Sequence, residues 1–381
     1  MPDQKENRRK QLIASELLRD CDSPLILTAT LAPVAGLDRF QPAGFPEVGH
    51  VIYRAPRADA TDENVCIMDS AASMANHLES VCMRGPHDVD LVDDLKGMPY
   101  VRCVTGDVGD NGELTDREVI VTSLTEGHRI ASTYFLAGKR LQNGKLADHP
   151  FEDALAEEIG IVLKGSKKAH PPAAKWWDVF KTIFKYDPNA LVHGVLFPQW
   201  QIKVPRLLTA HLEAFGAARV DRSGVKFDRL GKTTSGQPIF AVDDATAREI
   251  RATFVLDLAQ LRSFGRKDGE KTLGLGEEQK EFLLALALWK IRTLLEAPFR
   301  FRSGCHLRCV SLKSGEDEVD ISVDMSPAVS RAAFRKGSDE SQVTDIYWPR
   351  EELYREADEN PKAPANGQDE ANPGEDGNES E

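Results

Sequence analysis

A turn-rich loop contains the first side chains suited to binding chemistry. It runs Arg39-Phe40-Gln41-Pro42-Ala43-Gly44-Phe45-Pro46 and offers a cation, an amide and two aromatic rings between prolines and a glycine. Such a mixture on an exposed turn is suited to gripping a single-stranded nucleic acid. We therefore take this loop as the first candidate binding site.

A second group of polar side chains follows at the start of a predicted helix. An apolar strand over residues 65–68 leads into Asp69-Ser70-Ala71-Ala72-Ser73-Met74-Ala75-Asn76-His77, where Ser70 can accept an amide hydrogen bond of the first helical turn. Asp69, Ser70 and His77 are also residue types used in hydrolysis. A nucleophile needs a base within hydrogen-bond reach, and two helical turns are expected to keep residues 69 and 77 apart, which disfavours catalysis.

The charge of the chain is unevenly distributed. The 381 residues carry a net charge of −13, but residues 351–381 hold eleven acidic and two basic residues, which leaves −4 for residues 1–350. A local basic track for phosphate binding is therefore possible, although the net charge does not support it.

Cysteine and apolar patterns limit the function classes. The six cysteines are scattered and are expected to be reduced thiols. Cys305 and Cys309 fit alternate burial on a strand better than a zinc site, so we expect no metal and no cofactor. We expect no secretory leader, because the first residues lack an apolar h-region, and the apolar run over 282–291 is too short to span a bilayer. The protein is expected in the cytoplasm, without membrane contact.

The elements that would position these residues predict an α+β fold. Residues 25–32 alternate like a strand, and residues 277–296 predict a central buried helix. Residues 203–215 predict a helix with Arg206 in its first turn, where a cation opposes the macrodipole and favours an anionic partner. His193 is expected as a core histidine in an apolar strand, with its hydrogen bonds satisfied. Strands interrupted by helices indicate an antiparallel sheet with insertions.

Several stretches, in order, resemble one family. They include RFQPAGFPEVGHVIY, DSAASMANHLESVC, SLTEGHRIASTYFL, YDPNALVHGVLF and SGVKFDRL. Together they resemble the RAMP-superfamily backbone subunit (GSU-type, Csb family) of type I-U (I-G) CRISPR effector complexes, from about Leu25 to Cys309. The resemblance implies an RRM-like (ferredoxin-like) antiparallel sheet core in a single domain over 1–350, with a helical insertion near 149–186 and a thumb-like hairpin arm near 217–247. Residues 351–381 are expected to form a disordered acidic tail.

The resemblance implies a non-catalytic subunit of a Cascade surveillance complex in antiviral defence. Copies would stack along a CRISPR guide RNA, contact other Cascade subunits and present the guide for pairing with target DNA. Two alternatives stay open. RAMP relatives of other CRISPR types cut RNA through a loop aspartate, which Asp38 or Asp69 would supply for target or precursor RNA here, and a scaffold without RNA contact is the other.

A subunit that holds guides of any sequence should grip phosphates and 2′-hydroxyls and leave base edges free. Each candidate also has a structural alternative: loop stabilisation, helix capping, an ion pair, a carbonyl contact or a solvated charge. The predicted RNA contacts are Arg39, Gln41, Ser70, Ser73, Asn76, His128, Arg129, Arg206, Lys226 and Arg229.

Overall fold

The computed structural model describes residues 9–20, 24–44, 50–109, 113–142, 144–161, 175–220, 243–302, 304–334 and 342–353. Its helices are α1 (Ala14–Asp20), α2 (Ala71–Ser80), α3 (Thr133–Leu136), α4 (Phe151–Ile159), α5 (Trp176–Tyr186), α6 (Pro188–His193), α7 (Leu258–Ser263), α8 (Glu277–Glu296), α9 (Met325–Arg331) and α10 (Arg350–Leu353). Its strands are β1 (Lys10–Leu12), β2 (Leu25–Pro33), β3 (Ile52–Pro56), β4 (Asp62–Asp69), β5 (Met83–Gly85), β6 (Asp88–Leu91), β7 (Tyr100–Val108), β8 (Leu114–Thr122), β9 (Lys139–Gln142), β10 (Lys145–Pro150), β11 (Val195–Phe197), β12 (Ile202–Val204), β13 (Leu208–Phe215), β14 (Ala218–Val220), β15 (Asp244–Thr246), β16 (Glu249–Leu256), β17 (Gly265–Asp268), β18 (Lys271–Gly274), β19 (Phe299–Arg302), β20 (Cys305–Ser314), β21 (Asp317–Ile321) and β22 (Val343–Tyr347).

The centre of the largest sheet has the ferredoxin-like strand order. In chain order its elements are β2, α2, β13, β16, α8 and β20, and in space the strands lie β20-β2-β16-β13. All three neighbouring pairs are antiparallel. The strands β4 and β3 extend this sheet at one side, and β21 and β1 extend it at the other. The predicted α+β, ferredoxin-like core is confirmed.

One face of this sheet is buried and the other is partly open. Leu27 and Ala29 of β2 and Phe254 of β16 are each 0% exposed, because alternate residues of a strand point to the same face. Helix α2 contacts β13, while α8 contacts β20 and β21. Helix α8 is buried on all sides over most of its length, so the prediction of a central buried helix over 277–296 is confirmed.

The insertions lie between the elements of this core. Between α2 and β13 the chain builds a second sheet of order β10-β9-β22-β7-β8, whose strand β22 returns from near the C-terminus. The helices α4 and α5 lie in the region where a helical insertion is expected. Between β13 and β16, β14 and β15 pair as an antiparallel ribbon at the two ends of the predicted arm, whose residues 221–242 lie outside the described ranges; we call this ribbon the arm base. The boundary at residue 350 stays a prediction, because residues 354–381 lie outside the described ranges.

Two secondary-structure predictions were wrong. Residues 203–215 form strands β12 and β13 rather than a helix, because Leu208, Leu212 and Ala214 alternate toward the core and pair with β16. His193 ends helix α6 rather than lying in a strand, although it is a buried core histidine as expected. Cys305 is buried on β20 and Cys309 half-buried, both as free thiols. Among the described helices, none is long and apolar enough to cross a membrane.

The two faces of β2 predict opposite responses to truncation. Leu27→Ala should lower the free energy of unfolding by about 2–5 kcal/mol, because it opens a cavity beneath the helices. Ile26→Ala, one residue earlier at a side chain 45% exposed, serves as the matched control and should cost less than about 1 kcal/mol. Urea unfolding of both variants measures the difference, and equal losses would show that the sheet does not face the helices as described.

Candidate nucleic-acid interface

The loop that opens with Arg39 is fixed at the base of the arm. Phe40 exchanges backbone hydrogen bonds with Ala245 of β15, and the backbone N–H of Gln41 donates to the Gly304 carbonyl at 3.3 Å. The Arg39 guanidinium lies 3.4 Å from the Asp244 carboxylate but its side chain remains 59% exposed. Arg39 therefore stabilises the loop and still presents its charge to solvent.

The same loop runs on to the start of α2. The amide of Ala43 donates to the Met68 carbonyl at 3.0 Å, close to where β4 turns into the helix. Ser70 caps α2 by accepting a hydrogen bond from the Ser73 amide at 3.1 Å. Ser73 is half-buried and Asn76 is exposed on the following turn. Loop and helix start thus form one surface.

Asp69 holds this surface together. Its Oδ1 accepts from the Ser70 amide at 3.0 Å, and Arg302 of β19 lies 3.7 Å away. The His77 Nε2 lies 3.5 Å from Asp69 Oδ2, so the expected separation of residues 69 and 77 was wrong. At that distance the pair is an electrostatic contact rather than a hydrogen bond, and the His77 ring rests 4.9 Å from that of Phe301.

Arg206 joins the start of α2 to a neighbouring cleft. Its Nη1 donates to the Ala71 carbonyl at 2.8 Å, and no carboxylate of the described residues forms an ion pair with it. Burial lowers the pKa of Arg206, and the charge of Arg129 lowers it further. Arg206 does not begin its own helix, yet it lies beside the start of α2, where a cation is disfavoured and an anion is stabilised.

The cleft beside Arg206 has a volume of about 1290 Å³ and contains His128 and Arg129 in its lining. His128 is exposed, with its Nδ1 2.9 Å from Glu126. Burial opposes ionisation of Glu126, but the hydrogen bonds from His128 prevail and lower the pKa of that carboxyl. His128 is therefore available to a ligand on the open side of its ring.

Arg129 makes an ion pair and carbonyl contacts, which are structural alternatives to RNA contact that the sequence left open. Its guanidinium is buried against Glu79, with Nε 2.7 Å from Oε1 and Nη2 2.9 Å from Oε2. Its Nη1 donates to the Gly127 and Gly194 carbonyls. Arg129 also has a φ of 54°, a left-handed conformation that costs a non-glycine residue about 1–2 kcal/mol. These contacts assign Arg129 to the frame of the cleft.

A buried polar network continues from this ion pair into the core. The Asn189 amide donates to Glu79 Oε1 at 2.6 Å, and the ammonium of Lys290 donates to Asn189 Oδ1. Lys290 also lies 3.0 Å from His193 Nε2. Each of these side chains is at most 6% exposed, so the network links α2, α6 and α8 behind the cleft.

The pKa values of two ionisable groups in this region are shifted in opposite directions. Burial raises the pKa of Asp187 to about 7, and the nearby Glu79 carboxylate adds to the effect. Burial lowers the pKa of His193 well below its ordinary value, with Lys290 and Arg129 adding to the effect. His193 is therefore neutral. Since the Lys290 ammonium only donates, His193 Nε2 is the acceptor and its proton lies on Nδ1.

Gly194 allows Arg206 to lie over the end of α6. Its φ is +82°, and a Cβ added there would lie 3.0 Å from the Val204 carbonyl oxygen and 3.1 Å from Arg206 Cγ. Both the backbone conformation and the space therefore require glycine. This is the physical basis of the His-Gly pair within the stretch VHGV.

The RNA contacts predicted from the sequence include only some of the residues that border this surface and the cleft. Lys226 and Arg229 lie outside the described residues. Arg302, Tyr134 and Lys203 were not predicted, although all three border the surface or cleft. The alternation of Arg300-Phe301-Arg302 beside a short strand was a usable signal for Arg302, whereas nothing local marks Tyr134. Among the described residues, no cluster of His, Cys, Asp or Glu could hold a metal ion.

Comparisons with known proteins find a family model and a solved structure that match this chain. The model of a family described as CRISPR-associated protein GSU0053 matches residues 25–219, which include the loop, α2 and the cleft-lining residues up to Arg206 and Thr209. Curated proteins give no significant match. The crystal structure of Thermofilum pendens Csc2 is similar over 84% of this chain and 73% of that chain, at 12% sequence identity and a TM-score of 0.26. The fold assignment rests on the strand order of the chain itself.

The opposite pKa shifts of Asp187 and His193 predict that these two groups change folding stability in opposite directions as the pH falls. Below pH 6.5 only the unfolded chain protonates His193, so stability falls with acid by about 1.4 kcal/mol per pH unit. Between about pH 4 and 7, only the folded chain keeps a proton on Asp187, so stability rises with acid at about the same rate. Relative to the parent chain, His193→Gln should gain stability between pH 6 and 5, and Asp187→Asn should lose it. Urea unfolding at both pH values checks this, and parallel curves for all three proteins would refute it.

Proposed function

Because this chain belongs to the CRISPR-associated protein GSU0053 family, we propose that it is the RNA-binding backbone subunit of a type I-U (I-G) Cascade surveillance complex in the cytoplasm. In this role copies of the chain line up along the CRISPR guide RNA and contact other Cascade subunits. The bound guide is presented for pairing with target DNA in antiviral defence. The subunit itself is non-catalytic.

The observation that supports this proposal is a continuous surface whose polar groups are not fully used by contacts within the protein. It begins at Arg39 on the arm base, passes Gln41 and the capped start of α2, and ends at Arg206. We call this surface the α2 strip. Its cations and amides suit phosphate and sugar contacts, which position a nucleic acid without reading its sequence. A helix start beside an arginine without a carboxylate partner is a favourable phosphate site.

The same surface gives little support to RNA cutting, the alternative that Asp38 or Asp69 raised. Asp69 is 5% exposed, and one of its oxygens is occupied by the Ser70 amide. The Ser70 hydroxyl oxygen is occupied as the cap of α2. Asp38 is exposed, and its carbonyl holds Thr246 of the arm base. These contacts favour a structural role for Asp69, whereas the exposed Asp38 carboxylate is tested by the cleavage assay.

Binding of a single-stranded guide RNA tests the proposal. The double variant Arg39→Gln, Asn76→Ala should bind at least about tenfold more weakly, because it removes a charged and a neutral contact. The loss of one cation should also reduce the salt slope of log K by about 0.7. Fluorescence anisotropy at several salt concentrations measures both effects. On a denaturing gel, RNA that is complementary to the guide and incubated with Mg²⁺ should be recovered at full length.

The matched control is Arg84→Gln, which removes the same charge beyond the opposite end of α2, where Arg84 pairs with Asp93. It should bind RNA like the parent chain. If the double variant and the control bind equally well, the α2 strip is not the interface. Cleavage that disappears in Asp38→Ala or Asp69→Ala would establish the catalytic alternative instead.

A further inference from the structure

The cleft next to Arg206 has a lining that the α2 strip does not account for. Its volume of about 1290 Å³ exceeds the roughly 300–1,000 Å³ of ordinary small-molecule pockets. It is bounded by the turn before α3, the segment from α6 to β13 and the start of α7. A cavity of this size suits several linked units of a polymer.

The floor of the cleft presents one donor without a protein acceptor and one cation without a carboxylate partner among the described residues. His193 lines the cleft, is 1% exposed, and its Nδ1 has no hydrogen-bond partner. The tautomer fixed by Lys290 makes that Nδ1 a donor. The Arg206 side chain packs against the adjoining Gly194, and one of its nitrogens donates a hydrogen bond to the Ala71 carbonyl. A buried donor left unpaired is unfavourable, so an oxyanion at this floor would be stabilised by both groups.

The walls of the cleft carry flat side chains that are open to solvent. Tyr134 is 38% exposed overall, and the His128 side chain is 82% exposed. Both belong to the lining, as does the exposed cation Lys203. Aromatic and imidazole rings beside a cationic floor are the combination that holds unpaired bases by stacking and their backbone by charge.

The lining also contains three acidic residues. Glu126 lies 2.9 Å from His128, Asp257 caps α7 by accepting from the Gln260 amide at 2.9 Å, and Glu152 lies in the first turn of α4. The cations Arg206 and Lys203 have no ion pair with any carboxylate of the described residues, so these two side chains remain available to an anion.

We propose that the cleft binds a short run of unpaired nucleotides of the same RNA, with one phosphate on Arg206 and His193 and bases stacked on Tyr134 and His128. The inference rests on the proposed function, because it assigns a second contact region to the same ligand. It goes further by assigning base stacking to the cleft, a contact that a duplex cannot make because its bases are not available for stacking.

Two single variants test the proposal by anisotropy with a short fluorescein-labelled single-stranded RNA of mixed sequence. Arg206→Gln should weaken binding about tenfold, through the loss of a charge-assisted contact. Tyr134→Leu keeps apolar bulk but removes the stacking face, and should also weaken binding about tenfold. Arg54→Gln on β3 removes a cation that pairs with Asp62 and should bind like the parent chain. Parent affinity in both cleft variants would overturn the inference.

Chemical protection keeps the test decisive if a variant fails to fold. In the unmodified chain, bound single-stranded RNA should slow acetylation of Lys203 in the cleft about tenfold and leave Lys271 of β18, outside the cleft lining, at its free rate. An unprotected Lys203 would overturn the inference. Equal protection of Lys203 by inorganic phosphate or by duplex RNA, at the same concentration, would also overturn it.

The two proposals fail in different ways. If the parent chain does not bind RNA, the proposed function itself is lost. If the parent chain binds RNA and responds to the α2 strip variant, but neither Tyr134→Leu nor Lys203 responds, only the cleft assignment is lost. A change in self-association without a change in RNA affinity would assign the cleft to a neighbouring copy instead.

Discussion

The carboxylate of Glu79 and the guanidinium of Arg129 are buried together, and the region around the candidate site depends on that contact. A buried pair with two hydrogen bonds loses about 3–5 kcal/mol when one partner is removed, because the other charge is left without compensation. Glu79 comes from the last turn of α2, and Arg129 from a turn held in a left-handed conformation. The pair therefore fixes α2 against the wall of the cleft, and Asn189 and Lys290 extend the contact to α6 and α8.

This arrangement explains why Arg206 differs from other arginines of the chain. Arg129 and Arg102 are both satisfied by carboxylates within the protein. Arg206 instead has a carbonyl, the positive end of α2 and the charge of Arg129 as its surroundings. A fold that leaves a half-buried cation in such a place has an energetic deficit that an external anion removes. The same reasoning applies to His193, whose open donor results from Lys290 occupying the other ring nitrogen.

Much of the fold could be predicted because local patterns and tertiary structure agree. Residues 277–296 are apolar on nearly every side, acidic at the start and followed by Pro298, and they form α8 with the predicted bounds. Residues 203–215 show where local pattern is insufficient. Leu208, Leu212 and Phe215 fit a helical face, while Leu208, Ala210 and Leu212 equally fit one face of a strand. The decision is made by β16 and β4, which pair with this segment from distant parts of the chain.

The candidate site was predictable only in part for the same reason. The loop after Arg39 and the cap at Ser70 have local signals of turn chemistry and helix capping. The pairing of Glu79 with Arg129 spans fifty residues, and no local pattern predicts which charges will meet. Arg206 was singled out because of a helix that does not exist, yet it does lie at a helix start, that of α2. The position of Tyr134 beside the cleft follows from tertiary packing alone.

The most direct measurement is a map of where the guide RNA touches the protein. A guide carrying photoreactive 4-thiouridine would be crosslinked to the assembled full-length chain, and the modified peptides identified by mass spectrometry. The account predicts crosslinks in residues 39–44, 70–76 and 128–134, on the surface that runs from the arm base to the cleft. Crosslinks confined to α5 and the β17–β18 hairpin, with none on that surface, would contradict it.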